Sequence, residues 1–197
     1  MIISMNIRSL PKHYQNILHD QHMRASVIAL QETWCAVDKD NDHLQLPGYS
    51  MHIVSQGRGK GVVTYYKPGF QVSGIINTEL YQISKVSSKN FDIVNVYCSH
   101  GMNKAQFLRD IGSLLRGVKP TFIVGDFNIN FLHDPKDSII QKITSNGFKQ
   151  IVEDPTHVEG GLLDHVYIRG VPFEFKPHIQ IDFRHYTDHG AITIIKP

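Results

Sequence analysis

Phe122-Ile123-Val124-Gly125-Asp126-Phe127-Asn128 is an apolar strand that stops in a glycine, a carboxylate and an amide. Such a stretch carries Asp126 and Asn128 into a loop, where they can meet a phosphate, a metal or a water. Gly, Asp and Asn also favour turns for backbone reasons alone, so the segment by itself has an ordinary reading. Other strands end the same way. Ile28-Ala29-Leu30-Gln31-Glu32 stops in a carboxylate, Val94-Asn95-Val96-Tyr97 in a phenol and Ile3-Ser4-Met5-Asn6 in an amide. Leu162-Leu163-Asp164-His165 opens a strand with a carboxylate, and Tyr186-Thr187-Asp188-His189-Gly190 sets an Asp-His pair before the last one. Each alone reads equally as a cap, a turn or a surface group; their joint occurrence is the signal.

Working outward, Met1 to Ile7 suits a buried strand, Pro11 to Met23 a helix with Tyr14, Ile17 and Leu18 on one face, and Ser26 to Leu30 a second buried strand. From Tyr49 to Tyr97 the rhythm becomes short β-rich runs split by turn residues: 49–54, 61–66, 70–76, 81–86 and 91–97. This predicts a meander of mostly antiparallel strands. A helix near 103–115, a strand at 121–124, a helix near 136–145 and strands near 163–168 and 190–195 follow. The expected fold is α/β: a four-layer α/β sandwich of two packed, mostly antiparallel sheets flanked by helices.

The 197 residues suit one domain, 1–197, with no linker or low-complexity segment. At 41% hydrophobic and 19% charged residues the composition is that of a folded globular chain. The longest apolar runs are strand-sized and Met1 to Leu10 lacks a signal-peptide core, so an intracellular setting and no membrane association are expected. Cys35 and Cys98 are far apart and without metal-type spacing, which points to reduced thiols. A formal charge of +2 neither supports nor excludes nucleic acid as a partner. Most of the twelve histidines should be surface residues.

The strand-end inventory matches the needs of phosphodiester cleavage. A hard cation wants carboxylate oxygens while keeping several waters, and Glu32 with Asp188 are the candidates for it. A metal neutralises charge in the pentavalent transition state. Asp126, steadied by Asn128, can orient and deprotonate a water. His189, held by Asp164, can donate to a phosphate oxygen, and Asn6 and Tyr97 would complete the cage. Activity should therefore fall on the acidic side as the water-activating carboxylate protonates.

In order along the chain, Asn6, Leu30-Gln31-Glu32-Thr33, Asn95-Val96-Tyr97, Gly125-Asp126-Phe127-Asn128, Leu163-Asp164-His165 and Thr187-Asp188-His189 resemble the motifs of the endonuclease/exonuclease/phosphatase family. That family includes deoxyribonuclease I and the apurinic endonucleases. Asn6-Ile7-Arg8-Ser9-Leu10, Gln31-Glu32-Thr33-Trp34, Leu46-Pro47-Gly48-Tyr49 and Gly160-Gly161-Leu162-Leu163-Asp164-His165 look most like apurinic-type endonuclease domains of mobile elements, non-LTR retrotransposons or Helitron-like elements. The resemblance implies a magnesium-dependent DNA endonuclease, with manganese able to substitute, that leaves a 3′-hydroxyl and a 5′-phosphate. It also implies double-stranded DNA as partner, a larger polyprotein with a reverse transcriptase or helicase, and a nuclear place of action. Alternatives are an apurinic repair endonuclease, a phosphatase or phosphodiesterase of the same fold on a non-DNA substrate, and an inactive DNA-binding remnant. Repair apurinic endonucleases carry an acid where this chain has Arg8, which removes one possible metal contact, and the usual Ser before the last Asp-His is Thr187, which keeps the hydroxyl; the lack of an evident aromatic pocket for an abasic sugar puts repair specificity in doubt. Arg8, Arg58 and Lys60 in the glycine-flanked loop 56–61, His100 and Thr156 are the candidate substrate contacts, each with an ordinary surface reading beside it. Trp34 reads equally as a core residue.

Overall fold

The computed structural model describes residues 1–37, 40–172 and 177–195. Along the chain, β1 (Ile2–Asn6), α1 (Leu10–His19) and β2 (Val27–Gln31) form a strand-helix-strand unit, followed by β3 (Ser50–Val54) and β4 (Val62–Tyr66). Next come β5 (Gln71–Asn77), β6 (Tyr81–Ser87), β7 (Asp92–Cys98), α2 (Lys104–Leu114) and β8 (Thr121–Asp126). α3 (Ser138–Ser145), β9 (Lys149–Gln150), β10 (Asp164–Arg169), β11 (His178–Phe183) and β12 (Gly190–Ile195) complete it. The strands make two six-stranded sheets, ordered β11-β12-β1-β2-β4-β3 and β5-β6-β7-β8-β10-β9. Pairing is antiparallel throughout except for β1 with β2 and β7 with β8.

Period-two alternation sorts the apolar side chains into layers. Ile3 and Met5 of β1 face Leu10 and Ile17 of α1 on one outer side. Val94 and Val96 of β7 face Phe107 and Ile111 of α2 and Ile139 and Ile143 of α3 on the other. Ile2, Val27, Val86, Ile93, Val124, Val166 and Ile192 fill the space between the sheets. The result is the expected four-layer sandwich.

Helix ends follow their caps. The Ser9, Asn103 and Asp137 side chains accept from the backbone N–H groups of Lys12, Gln106 and Ile139. α3 therefore begins at Ser138 rather than Lys136, and α1 ends at His19 rather than Met23 because Asp20 turns to extended backbone. The predicted meander over 49–97 is interrupted: β3 and β4 stay in the first sheet and β5 starts the second. Pro68, which has no N–H to donate, and Gly69 at φ 101° break the pairing at that crossing.

The two parallel pairs lie against each other across the interior, and β1, β2, β7 and β8 all end at one rim of the sandwich. β10 and β12 run antiparallel to their neighbours and begin at that rim. A buried amide cluster joins the sheets below it. Gln31 donates to Asn95 Oδ1 at 2.7 Å, and Asn95 Nδ2 reaches Leu30 O, Val63 O and Thr64 Oγ1 at 3.3, 3.2 and 3.1 Å. Cys35 and Cys98 are both free and buried, as the spacing implied. No helix among the described residues is long and apolar enough to cross a membrane.

Candidate functional site

Residues from six strand ends converge at the rim. Asn6 leaves β1 fully buried, and its Nδ2 donates to Glu32 Oε1 at 3.0 Å and to Asp126 Oδ2 at 2.8 Å. One amide thus ties a carboxylate of the first sheet to one of the second. Asp126 Oδ1 accepts the backbone N–H of Asn128 at 2.8 Å, while the Asn128 side chain donates to Cys98 O at 2.7 Å. Asn128 steadies Asp126, then, through its main chain rather than its amide.

Asp126 stands directly opposite Asp164 in the β8–β10 register. Asp164 Oδ2 takes His189 Nδ1 at 2.8 Å, the pairing expected from the sequence. Asp164 Oδ1 is buried without a hydrogen-bond partner. Burial, and then the facing charge of Asp164, push the Asp126 carboxyl up to about 7 against the opposing pull of His189, Asn128 and Asn6. Burial alone would lower the His189 imidazole, but Asp164, with Asp126 and Asp188 behind it, outweighs burial and lifts it to about 9. A protonated histidine held on Nδ1 therefore presents Nε2–H to the cleft.

Asp188 has one oxygen paired with the Arg8 guanidinium, and His157 Nε2 lies 3.4 Å from that oxygen. Its other oxygen is buried, lacks a hydrogen bond and lies 3.9 Å from His189 Nε2. Burial opposes ionisation of Asp188, yet Arg8, His189 and His157 hold its carboxyl below the ordinary value. Glu32 is braced by Asn6 and, at 3.4 Å, by Trp34 Nε1. The positive-φ non-glycine residues of the described chain are Arg8, Ser9, Glu32, Trp34 and Asn128, all on this rim. Backbone held in that sparsely populated region costs free energy and clusters where geometry is over-determined by its surroundings.

A hard divalent cation fits these residues. Asp188 offers a buried, unpartnered Oδ1, an orphan acceptor that a cation would satisfy, while Glu32, the other expected ligand, stands in neither of the close groups of acids and histidines. His157, Asp188 and His189 also group closely enough to share an ion, as do Asp126, Asp164 and His189.

The remaining candidates divide. Tyr97 is buried at the rim, its hydroxyl donating to Gly59 O at 3.1 Å in the β3–β4 loop. Arg58 is exposed on that loop over the Trp34 ring, 5.6 Å from its centroid, with half-buried Lys60 nearby. Trp34 is therefore half-buried at the site, not in the core. His100 is exposed on a cleft shared with Asn128 and Lys104. Thr156 corrects the sequence expectation: it is wholly buried, and its hydroxyl accepts the N–H groups of Leu163 and Asp164 at 3.0 Å, so it anchors the start of β10 and does not face substrate. The neighbouring His157 was not anticipated. It bridges to His189 in the backbone and reaches Asp188 with its ring. Its only sequence trace is its place one residue after Thr156 in the loop before β10.

The Endonuclease/Exonuclease/phosphatase family matches residues 3–189. No curated protein matches by sequence, so likeness to individual proteins rests on structure. The chain superposes on an apurinic endonuclease of Archaeoglobus fulgidus with a TM-score of 0.79 at 14% identity, covering 100% of this chain and 99% of that one. For a 3′-5′ exonuclease of Neisseria meningitidis the values are 0.78, 16%, 99% and 98%. For the endonuclease domain of TRAS1, a telomere-specific non-LTR retrotransposon, they are 0.74, 13%, 98% and 95%.

Proposed function

The chain belongs to the endonuclease/exonuclease/phosphatase family, and on that premise we propose that it is a metal-dependent DNA endonuclease that nicks target DNA for a mobile element. The observation that carries this reading is the Asp126, Asp164 and His189 cluster tied to Glu32 through Asn6, all at one rim. Glu32 and Asp188 would hold a magnesium ion, which supplies positive charge to the phosphate when bound. Asp126 takes the proton of an attacking water, its carboxylate aimed by Asn6 and the Asn128 N–H. His189, charged and oriented by Asp164, donates from Nε2 to a non-bridging phosphate oxygen, where negative charge grows. The bond from phosphorus to the 3′-oxygen breaks, and that oxygen leaves as an alkoxide that takes a proton from solvent, giving a 3′-hydroxyl and a 5′-phosphate.

Tyr97 sets the floor of the cleft, and Arg8, Arg58, Lys60 and His100 contact backbone phosphates. Manganese substitutes for magnesium. The likeness to the TRAS1 domain supports a mobile-element setting, in which a reverse transcriptase or helicase is part of the same polyprotein and the nucleus is the place of action.

The test is an end-labelled DNA duplex incubated with protein and magnesium, with the product ends assayed by polymerase extension. Extendable 3′ ends support the reading. Phosphate release from inositol phosphates with an intact duplex would replace it with a phosphatase.

A further inference from the structure

Four strands form the edges of the two sheets, β3 and β11 in the first, β5 and β9 in the second. An unpaired edge presents a row of free N–H and C=O groups, and proteins blunt such edges with bulges, short strands, lysine, proline or a cover. β5 carries a register irregularity between Val72 and Gly74, and β9 is two residues long. β3 lies against β5, where Asn77 Nδ2 donates to Ser55 O at 3.1 Å just past its end. β11 has none of these devices. His178-Ile179-Gln180-Ile181-Asp182-Phe183 pairs with β12 residue for residue and contains no lysine or proline. Among the described residues no strand pairs with its outer side. We infer that this edge binds a second copy of the chain, β11 against β11 in antiparallel pairing, so that the first sheets of two copies join into one.

The residues of the strand select this partner. In a two-fold pair centred on Gln180, His178 stands opposite the partner's Asp182, Ile179 opposite the partner's Ile181, and Gln180 opposite the partner's Gln180. Paired residues of a sheet share a face, and here the faces agree. His178, Gln180 and Asp182 share one face, on which Gln180 Nε2 donates to both Asp182 oxygens at 3.1 and 3.0 Å. Ile179 and Ile181 lie on the other, against the core between the sheets. The smallest slip that keeps the faces is two residues. In one direction it sets His178 opposite the partner's Arg184, in the other opposite the partner's Gln180, and either way the imidazole loses the carboxylate.

Apolar surface at the edge points the same way. Beside β11 lies a cavity of about 610 Å³, walled in part by Ile151, Pro155, Ile179, Ile181 and Phe183, and Phe183 is 50% exposed. In the register centred on Gln180, Phe183 meets the partner's Pro177, which has no N–H and so ends the ladder there. Glu153 and Asp154 are exposed on the same wall, and their charge repels phosphate, so this edge does not continue a nucleic-acid surface. A two-fold axis normal to the sheet reverses the strands, so the two rims face opposite ways and both stay open. The inference therefore stands apart from the reaction proposed above.

The experiment is sedimentation velocity of the chain without DNA, over a concentration series reaching several hundred micromolar, with hydrogen exchange of the β11 amides followed in parallel. The average mass should climb from one chain towards two, and β11 amides should gain protection as it does. His178→Asp sets carboxylates opposite each other at two symmetry-related places and should weaken the pair about tenfold. Asp182→Lys should weaken it as well, and His178→Asp/Asp182→Lys, with the charges exchanged, should recover wild-type association. The variants are compared at unchanged melting temperature; the wild-type mass and exchange data decide the matter even where a variant does not fold. One-chain mass at every concentration, association indifferent to His178→Asp, no recovery in the double variant, or β11 amides already protected in the single chain would each overturn the inference.

Discussion

Asp126 and His189 share one buried cluster, and the proposed chemistry needs the first as carboxylate and the second as imidazolium. With Asp126 pushed up to about 7 and His189 to about 9, activity should follow a bell with its alkaline limb near pH 9. The acidic limb falls at or below neutral, because a bound cation favours the carboxylate. A rate profile flat from pH 5 to 9 would remove the acid-base roles. His189→Gln should lower kcat by about 10²–10⁴-fold, the usual range for a general acid or base. Stability gives an independent check in metal-free protein. His189 holds its proton more tightly when folded than its ordinary value of 6.5, so its contribution is full below about pH 6.5 and is lost as pH rises through about 9. Wild-type melting temperature should fall across that window more steeply than that of His189→Gln; parallel curves would contradict the ion pair. Asn6, Glu32, Asp126, Asp164, Asp188 and His189, which the fold gathers at one rim, stood out in the sequence because polar residues at the ends and starts of apolar strands are conspicuous. The burial of Thr156 and the reach of His157 to Asp188 did not, since both depend on how the loop before β10 folds against β12.

At the scale of elements, strands carry the site and their register sets its geometry. Gly125 lies one residue before Asp126 at φ 138°, and a Cβ there would stand 1.9 Å from Val96 O on the adjacent parallel strand β7. Gly125→Ala should therefore cost about 3 kcal/mol or more, from left-handed backbone plus forced separation of β7 and β8. Chemical denaturation measures it; a loss under 1 kcal/mol would mean that the strands do not approach so closely. Most strands were readable as apolar runs between turn residues. β9, only two residues long, offers too little pattern to read. β11 does alternate at Ile179, Ile181 and Phe183, but it is an edge strand with polar residues between, and it was not expected. Nor did local pattern reveal that the chain changes sheets at Pro68 and Gly69, because pairing partners are a property of the assembled sandwich.

Over the whole molecule, two sheets bring strand ends from opposite parts of the sequence to one rim, so that Asn6 meets Asp126 across 120 positions. The four-layer class followed from β-rich runs interleaved with helices; the placement of the parallel pairs at the centre of both sheets did not. With a net charge of +2, the proposed DNA contact would depend on local cations at the rim rather than on a global field. The central claim is that this rim hydrolyses phosphodiester bonds in DNA, with Asp126 as the base. Supercoiled plasmid incubated with magnesium and either wild type or Asp126→Ala tests it most directly. Conversion to the nicked circle by wild type, slowed at least 10²-fold in the variant, is the predicted result; no nicking by wild type, or equal nicking by the two proteins, would contradict it.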